Sequence, residues 1–485
     1  MTSGKRRDFL GRMQTEMVST AAVAVESQHD ILLIQPPAFG EYSPPLGLAS
    51  LSAYLKNQGF KVRCLDYNIQ FFNHIKGTYR NAWKFAEAGD FWCDREKYGR
   101  TLQPHFQKFA HAVVRDILLY RPRYVGFSVL ETSANPTADL IEIVRGFFGD
   151  EIKIIVGGPQ IDKDQAKRYV IDHGATCAFQ GEAEIGLAQL LSHRDGDDTI
   201  DYTKINNVFY RQGAEVVGTV AAMIKDLDSL PFPDFSDFPL GDYASEFKLV
   251  PISTSRGCIA KCTFCGETNF MDRFRQMSPM RIVGEFMNGV TSYGAEVFRM
   301  NDSLINGNLK ILEAWLDELL ARDVKIVFGA AQARINKRMS DELLSKLARA
   351  GCKLMQFGVE TGSDKLLKVM KKGITSEEAY ETILRVKKAG VGVQVNLIVG
   401  HFEETLGDYF QTLKLVFRVR KHADIVNVNC YVFDKYSQDF ARVTGIDDKG
   451  TERWRGPGLW NKHGIRLAKQ KILFGLMKLW GLRTP

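Results

Sequence analysis

Short runs of apolar, β-branched residues recur along this chain, each followed by a stretch with helical periodicity. In the first half the runs are "ILLIQ" (31–35), "KVRCLD" (61–66), "YVGFSV" (124–129) and "KIIVGG" (153–158), with "TCAFQG" as a candidate fifth. They are apolar throughout rather than alternating, as strands covered on both faces must be. Helices between them call for right-handed crossovers and a doubly wound parallel sheet. "NVFYRQGAEVV" reads as a terminal hairpin turning at Gln212-Gly213. Residues 69–121, rich in aromatics and charges, read as a helical insertion that either covers a ligand or packs.

The second half repeats a strand-then-helix unit. Candidate strands are "LVPISTS" (249–255), "VFRMND" (297–302), "KIVFGAA" (325–331), "KLMQFGV" (353–359), "VQVNLIVG" (393–400) and "IVNVNCYVF" (425–433). Leu343, Leu344 and Leu347 share one helix face, and Thr375 with Glu378 forms a capping box. Six consecutive units predict an incomplete parallel barrel, with its chemistry where the strands end. Between the halves, "DLDSLPFPDFSDFPL" (226–240) holds three prolines and four aspartates. It is expected to run extended along the surface between two domains. The fold expected is α/β: a Rossmann-like doubly wound domain over 30–225, a linker over 226–248, a partial (β/α)6 barrel over 249–433 and a helical C-terminal extension over 434–485. An arm over 1–29 precedes them.

Composition sets outer limits. Of 485 residues, 45% are apolar and 25% charged, which describes a globular protein with room for two cores. A net charge of +7 is too small and too dispersed to argue for nucleic acid. Cys64, Cys93, Cys177, Cys352 and Cys430 lie far apart, so they are read as small packing residues in a reducing, cytoplasmic setting. No apolar run is long enough to span a bilayer. "KRRDFLGRM" sets Arg6, Arg7, Phe9 and Leu10 in twin-arginine register, but the following segment carries Glu16 and makes a poor export core. It is read as a basic arm. At the other end, Ile465, Ala468, Ile472, Leu476 and Leu479 fall near one helix face, with Lys469, Lys471, Lys478 and Arg483 supplying charge. That helix either lies on an anionic membrane surface or packs across the barrel.

The remaining cysteines are grouped. "RGCIAKCTFC" places Cys258, Cys262 and Cys265 in the loop after the first strand of the second half. Thiolates at this spacing can converge on a soft metal centre. An iron–sulfur cluster of four irons normally takes four cysteines, and three leave one iron open to a small molecule. The alternatives are plain packing or structural zinc, which needs a fourth ligand that no nearby His or Cys offers.

C-x-x-x-C-x-x-C after a barrel's first strand resembles the radical S-adenosylmethionine (SAM) superfamily, and the resemblance extends over nearly the whole chain. It implies a [4Fe-4S] cluster on Cys258, Cys262 and Cys265, with SAM on the open iron and Phe264 on the cofactor's adenine side. In that family the reduced cluster cleaves SAM to methionine and a 5′-deoxyadenosyl radical. "FRMNDSLINGN" ends the second strand, where Asn301, Asp302 and Ser303 are candidates for the SAM amino group. An ammonium there needs acceptors, and Asp302 offers one; the alternative is a helix N-cap. "GVETGSDK" matches G-x-E-[ST]-G-S and offers Glu360, Gly362 and Ser363 to the ribose or methionine carboxylate. "NLIVGHFEET" resembles I-x-G-x-P-x-E-T but departs from it at His401 and Phe402. Gly400 is expected to let the backbone approach the adenine. His401 is either a substrate-side residue or a structural one. Arg334 is a candidate partner for the SAM carboxylate, or a surface ion-pair residue.

The first domain has no G-x-G-x-x-G after its first strand and no P-loop, which argues against a dinucleotide. It looks like the cobalamin-binding domain that precedes the barrel in one large radical SAM subgroup. Ser128 and Leu130 match that subgroup's S-x-L, Gly157 and Gly158 its G-G, and Gly181 with Glu182 its step after the fifth strand. The loop "PPAFGEYSPPLG" lacks the cobalt-ligating histidine of other cobalamin domains, so the resemblance implies a base-off cofactor without a histidine from this loop. The leading reading is a cobalamin-dependent radical SAM methyltransferase acting on an unactivated carbon of a small-molecule, lipid or natural-product substrate. Its electrons would come from a low-potential donor such as flavodoxin or ferredoxin. The alternatives are a cyclase or rearrangement enzyme with the same cofactors, and a non-catalytic corrinoid- or cluster-binding protein.

Overall fold

The computed structural model describes residues 29–84, 88–159, 161–193, 200–267, 273–442 and 463–483. The twin-arginine stretch and most of the arm lie outside the described residues. The chain divides into two compact units, one of residues 1–224 and 230–246, the other of 225–229 and 247–485.

The first unit is built on a seven-stranded sheet in the order β2-β1-β3-β4-β5-β6-β7. Its strands are β1 (Ile31–Gln35), β2 (Val62–Asp66), β3 (Tyr124–Ser128), β4 (Lys153–Gly157), β5 (Cys177–Phe179), β6 (Val208–Gln212) and β7 (Glu215–Gly218). The first five are parallel, and β6 and β7 close the sheet as an antiparallel hairpin at Gln212-Gly213. Every residue of β1 is buried, so both faces are covered as its unbroken apolar character requires. The strand order reverses between β1 and β3, which opens a crevice at their carboxyl ends.

The insertion settles as packing. Trp92, Tyr98 and Phe106 are fully buried and join Phe71 and Trp83 in the core over the sheet. Their polar atoms are met locally: Trp83 Nε1 donates to Asn68 Oδ1 at 2.7 Å and Tyr98 Oη to Asp139 Oδ2 at 2.7 Å. The stretch 226–240 corrects the expectation of an extended surface run. It turns in short 3₁₀ segments at Leu227–Ser229 and Leu240–Asp242, and Phe235 and Phe238 are buried. Asp234 pairs with Lys56 at 2.6 Å and Asp237 with Arg63 at 2.6 Å. The phenylalanines between the prolines give the segment apolar anchors, and its aspartates find cations on the first unit.

The second unit holds β8 (Leu249–Ile252), the two-residue antiparallel pair β9 (Ser255–Arg256) and β10 (Arg275–Gln276), β11 (Val297–Met300), β12 (Val327–Gly329), β13 (Ala331–Ala333), β14 (Leu354–Glu360), β15 (Gly392–Val399) and β16 (Ile425–Cys430). Apart from the β9–β10 pair, all neighbouring strands are parallel and follow chain order. The third expected strand is split at Ala330, whose φ is +56°. β12 pairs backward with β11 and β13 forward with β14, so the break bends the sheet between its halves. β15 alternates buried and half-buried positions, one side under the helices and the other toward the barrel interior. The Thr375–Glu378 capping box is formed.

The C-terminal helix, His463–Leu479, covers the far side of β16. Its chain continues into a bridge in which Val426 N donates to Arg483 O at 3.0 Å, which closes that sheet edge. Its orientation corrects the sequence reading. The buried positions are Arg466, Lys469, Leu473 and Met477, while Ile472 and Leu479 are exposed. Lys469 is an internal residue, ion-paired with buried Glu404 at 2.6 Å.

Candidate functional site

Cys258, Cys262 and Cys265 occupy the loop that follows β8 and are all free thiols. The loop is compact: Cys265 N donates to Cys262 O at 3.3 Å, and Ala260 N to Cys258 Sγ at 3.4 Å. Burial pushes the Cys265 thiol up to about 11 and raises Cys258 as well. Such thiols are protonated at neutral pH, so a metal or cluster binding them displaces protons. Among the described residues no three His, Cys, Asp or Glu side chains are gathered at metal-binding distance. The donor set itself, three thiols from one loop, fits a thiophilic centre in kind. Arg334 stands beside it, with Nη1 3.3 Å from Cys262 Sγ and Nη2 on the carbonyl of Lys372. Its charge thus faces the cysteine loop rather than a surface carboxylate.

Asp302 is buried just past β11. Its Oδ1 accepts from Thr254 N at 2.8 Å, Thr254 Oγ1 at 2.7 Å and Ser255 Oγ at 2.7 Å. Its Oδ2 is buried with no hydrogen-bond partner. An orphaned carboxylate oxygen is costly, and an ammonium donor would satisfy it. The N-cap alternative fails, because Asn308 caps the following helix, Leu309–Ala321. Ser303 Oγ donates to Glu267, and Asn301 is exposed.

At the end of β14, Glu360 has a φ of +73° and a buried ion pair with Lys372 at 3.0 Å. Lys372 Nζ lies 5.8 Å from the centroid of the Phe264 ring. Lys372 is a site residue that sequence reasoning missed, since nothing separates it from its neighbours in the basic run "KVMKKG". Gly362 and Ser363 are engaged by neighbouring elements. A Cβ on Gly362 would lie 2.4 Å from Gln411 O, and Ser363 Oγ donates to Asp408 Oδ1 at 2.6 Å while accepting from Leu366 N. Gly400 also departs from expectation. Its φ is +81°, and a Cβ there would lie 2.6 Å from Arg466 Cγ. The close approach that this glycine permits in the structure is to Arg466 of the C-terminal helix.

His401 is fully buried and structural. Its Nδ1 accepts from Glu403 N at 3.2 Å, which puts the proton on Nε2, 3.3 Å from Asp439 Oδ2. The same oxygen accepts from Tyr431 Oη at 3.1 Å and Thr263 Oγ1 at 3.1 Å. Thr263 lies between Cys262 and Cys265, and Asp439 N donates to its carbonyl at 2.9 Å. Gly266, next to Cys265, donates its N–H to Asp434 Oδ2 at 2.9 Å. A side chain at Gly266 would collide with that carboxylate. The segment after β16 therefore clasps the cysteine loop on both sides of Cys265.

In the first unit, Ser128, Leu130, Gly157 and Gly181 lie at or just past the carboxyl ends of β3, β4 and β5. Ser128 is half-buried, and Leu130 N donates to Ser133 Oγ at 2.8 Å. A Cβ on Gly157 would meet nothing closer than 3.7 Å, and Gly181, with φ +69°, nothing closer than 3.8 Å. Gly158 differs: with φ +126°, its Cβ would lie 2.4 Å from Val129 O, so the backbone itself demands glycine. The loop after β1 is pinned by Asn68, which accepts from Phe39 N at 2.9 Å and donates to Gly40 O at 3.2 Å. Thr132 Oγ1 holds it from the other side through Ala38 O at 2.7 Å. The glycines among them form a small-residue shelf at the carboxyl edge of the sheet, the edge where doubly wound sheets bind ligands.

Residues 252–416 match the family model described as the radical SAM superfamily. An anaerobic magnesium-protoporphyrin IX monomethyl ester cyclase of Synechocystis sp. is 25% identical over 405 residues, 79% of this chain and 71% of the relative. A cytidylyl-2-hydroxyethylphosphonate methyltransferase of Streptomyces wedmorensis is 23% identical over 411 residues, 76% of this chain and 72% of the relative. Among solved structures, the radical SAM methyltransferase TsrM of Kitasatospora setae, with cobalamin and a [4Fe-4S] cluster bound, superposes with a TM-score of 0.64. It is 17% identical and covers 89% of this chain and 80% of its own, a likeness that speaks for the fold.

Proposed function

We propose, for a chain whose residues 252–416 form a radical SAM domain, that it is a cobalamin-dependent enzyme that methylates an unactivated carbon. The substrate is a small molecule, a lipid or a natural product. The observation that carries this reading is the order of the two units: a doubly wound sheet with a small-residue shelf, then a parallel barrel with three thiols after its first strand. When bound, the cluster and SAM supply a carbon-centred radical and the corrinoid a methyl group, chemistry that no side chain can provide.

The chain's own part is binding and orientation. Cys258, Cys262 and Cys265 would hold the cluster. Asp302, with its unpartnered Oδ2, would take the SAM ammonium, and Arg334 and Lys372 would place positive charge beside its carboxylate. Ser128, Leu130, Gly157 and Gly181 would receive the corrinoid's tail. Gly362, Ser363 and Gly400 support the scaffold instead. Electrons come from a low-potential donor such as flavodoxin or ferredoxin, and the C-terminal helix makes a peripheral membrane contact. The Synechocystis relative favours a second reading, ring closure or rearrangement with the same cofactors.

The test is anaerobic expression with cobalamin available, reconstitution with iron and sulfide, and metal analysis. About four irons and one cobalt per chain are expected, followed by transfer of label from methyl-labelled SAM to product. Four irons without cobalt overturn the methyltransferase. Both metals with no labelled product move the balance to rearrangement.

A further inference from the structure

The C-terminal helix buries two cations, Arg466 and Lys469, beside Leu473 and Met477, and leaves large apolar side chains exposed. Arg466 and Lys469 are buried against the barrel, whereas Ile472 is 55% and Leu479 81% exposed. The neighbouring helix, Leu406–Val419, repeats the pattern, with Phe410 57% and Phe417 45% exposed. The two helices adjoin: Tyr409 Oη donates to Lys469 O at 2.8 Å, and the Phe417 and Trp480 rings meet edge to face at 5.3 Å. Each helix thus shows an i, i+7 pair of large apolar side chains on its outward side.

The two helices themselves carry an excess of positive charge on their exposed positions, although Glu377 of an adjacent helix pairs with Arg418 at 2.6 Å and lies near Lys414. No Asp or Glu occurs from 453 to the end of the sequence. Lys471 and Lys478 are exposed and belong to no ion pair among the described residues, and Lys414 is exposed between Phe410 and Phe417. The one acid of helix Leu406–Val419, Asp408, is buried and paired with Lys365 at 2.7 Å. Exposed aliphatic and aromatic side chains beside unpaired lysines are what a helix lying in a membrane interface presents. An acidic protein partner would satisfy the lysines but would not by itself account for two outward apolar stripes on adjoining helices.

We propose that this outer face docks on an anionic lipid surface, with Phe410, Phe417, Ile472 and Leu479 entering the headgroup region and Lys414, Lys471 and Lys478 facing the lipid phosphates. This gives a location to the membrane contact in the reading above, but it rests on the two helices alone and stands whether or not methyl transfer is the reaction.

The full-length protein, purified anaerobically, is mixed with phosphatidylcholine vesicles with or without phosphatidylglycerol, and vesicle-bound protein is measured at low and high salt. Partitioning to the anionic vesicles is expected to exceed that to neutral ones by about tenfold or more and to fall with salt. Lys471→Glu with Lys478→Glu should lower it by about tenfold or more. Ile472→Ser with Leu479→Ser should lower it comparably, with circular dichroism and melting unchanged because these side chains are exposed. No binding, or equal binding to both vesicle types, overturns the proposal. So does salt-insensitive self-association without vesicles that the Ile472→Ser, Leu479→Ser variant abolishes, which would make the face a contact between copies. Metal counts on the same preparation report separately on the proposed reaction.

Discussion

Thr263 is one hydroxyl between two cysteines, and its partner Asp439 comes from 176 residues away. If the clasp holds the cysteine loop in its ligating shape, Thr263→Val should cost about 1 kcal/mol, the net value of one buried hydrogen bond. The stronger readout is the cluster itself. The valine variant should lose iron to a chelator several times faster than the parent, with Asp439→Asn behaving alike. Equal iron release would show that the loop needs no help from the segment after β16. Asp66 gives a second residue-scale expectation, in the first unit. Burial pushes its carboxyl up to about 6, although Ile69 N and Tyr243 Oη both donate to it. Its folded pKa lies above the unfolded one, so its contribution to stability is fully present below about pH 4 and is lost as pH rises through 6. Asp66→Asn removes that dependence. The stability gap should therefore shift in the variant's favour by up to about 3 kcal/mol between pH 4 and 7, read from urea unfolding over a pH series. A gap that does not move with pH would contradict the buried-carboxyl account.

At the scale of elements, the C-terminal helix is held by a buried ion pair and a glycine. Lys469 neutralises Glu404, whose Oε2 also accepts from Gly400 N at 3.0 Å. Lys469→Met strands a buried carboxylate and should cost about 3–5 kcal/mol. Most of that should return in the Lys469→Met, Glu404→Gln double variant, measured by urea unfolding. Gly400→Ala places a methyl group against Arg466 at a positive φ and should cost about 1–3 kcal/mol. This helix also marks where the sequence stops being readable. The strands were legible because β-branched apolar runs have few other fates, and the hairpin and the capping box were legible because they are local. The face of the last helix was not, since apolar periodicity selects Ile465, Ala468, Ile472, Leu476 and Leu479, and only the carboxylate of Glu404 draws Lys469 inward. The break at Ala330 is marked only by the preceding Gly329, and one glycine inside an apolar run is a weak signal. In the candidate site, the grouping of the cysteines was legible from spacing, and Asp302 entered through the family resemblance as a carboxylate able to accept from an ammonium. Lys372, Asp434 and Asp439 were not: Lys372 reaches Glu360 across a short helix, and Asp434 and Asp439 meet the cysteine loop from 168 and 176 residues away. Gly362, Ser363 and Gly400 show the converse: a motif position can be recognised while its local task is to pack one element against another.

At the scale of the molecule, the chain divides into two compact units, and the proposed ligands are assigned to different ones. A ligand that binds only the folded form stabilises it by RT ln(1 + [L]/Kd), about 2.7 kcal/mol at a hundredfold excess over Kd. If the corrinoid belongs to the first unit and the cluster with SAM to the second, each stabilisation should be removable without the other. Gly157→Val tests the first half, since a Cβ at Gly157 has ordinary clearance while a larger side chain would fill the shelf. This variant should lose the melting shift caused by hydroxocobalamin and keep its full iron content. Cys262→Ala should lose iron and the shift caused by SAM while keeping the hydroxocobalamin shift. Crossed results are the informative failure. A cysteine variant that loses the corrinoid shift would place corrinoid binding under the control of the second unit. The shelf at β3 to β5 would then be a strand-end arrangement like any other doubly wound sheet's, and the first unit would need a different ligand. The expected pattern follows from the order of the chain, in which every residue matched to a corrinoid tail precedes 225 and every residue matched to the cluster or SAM follows 247.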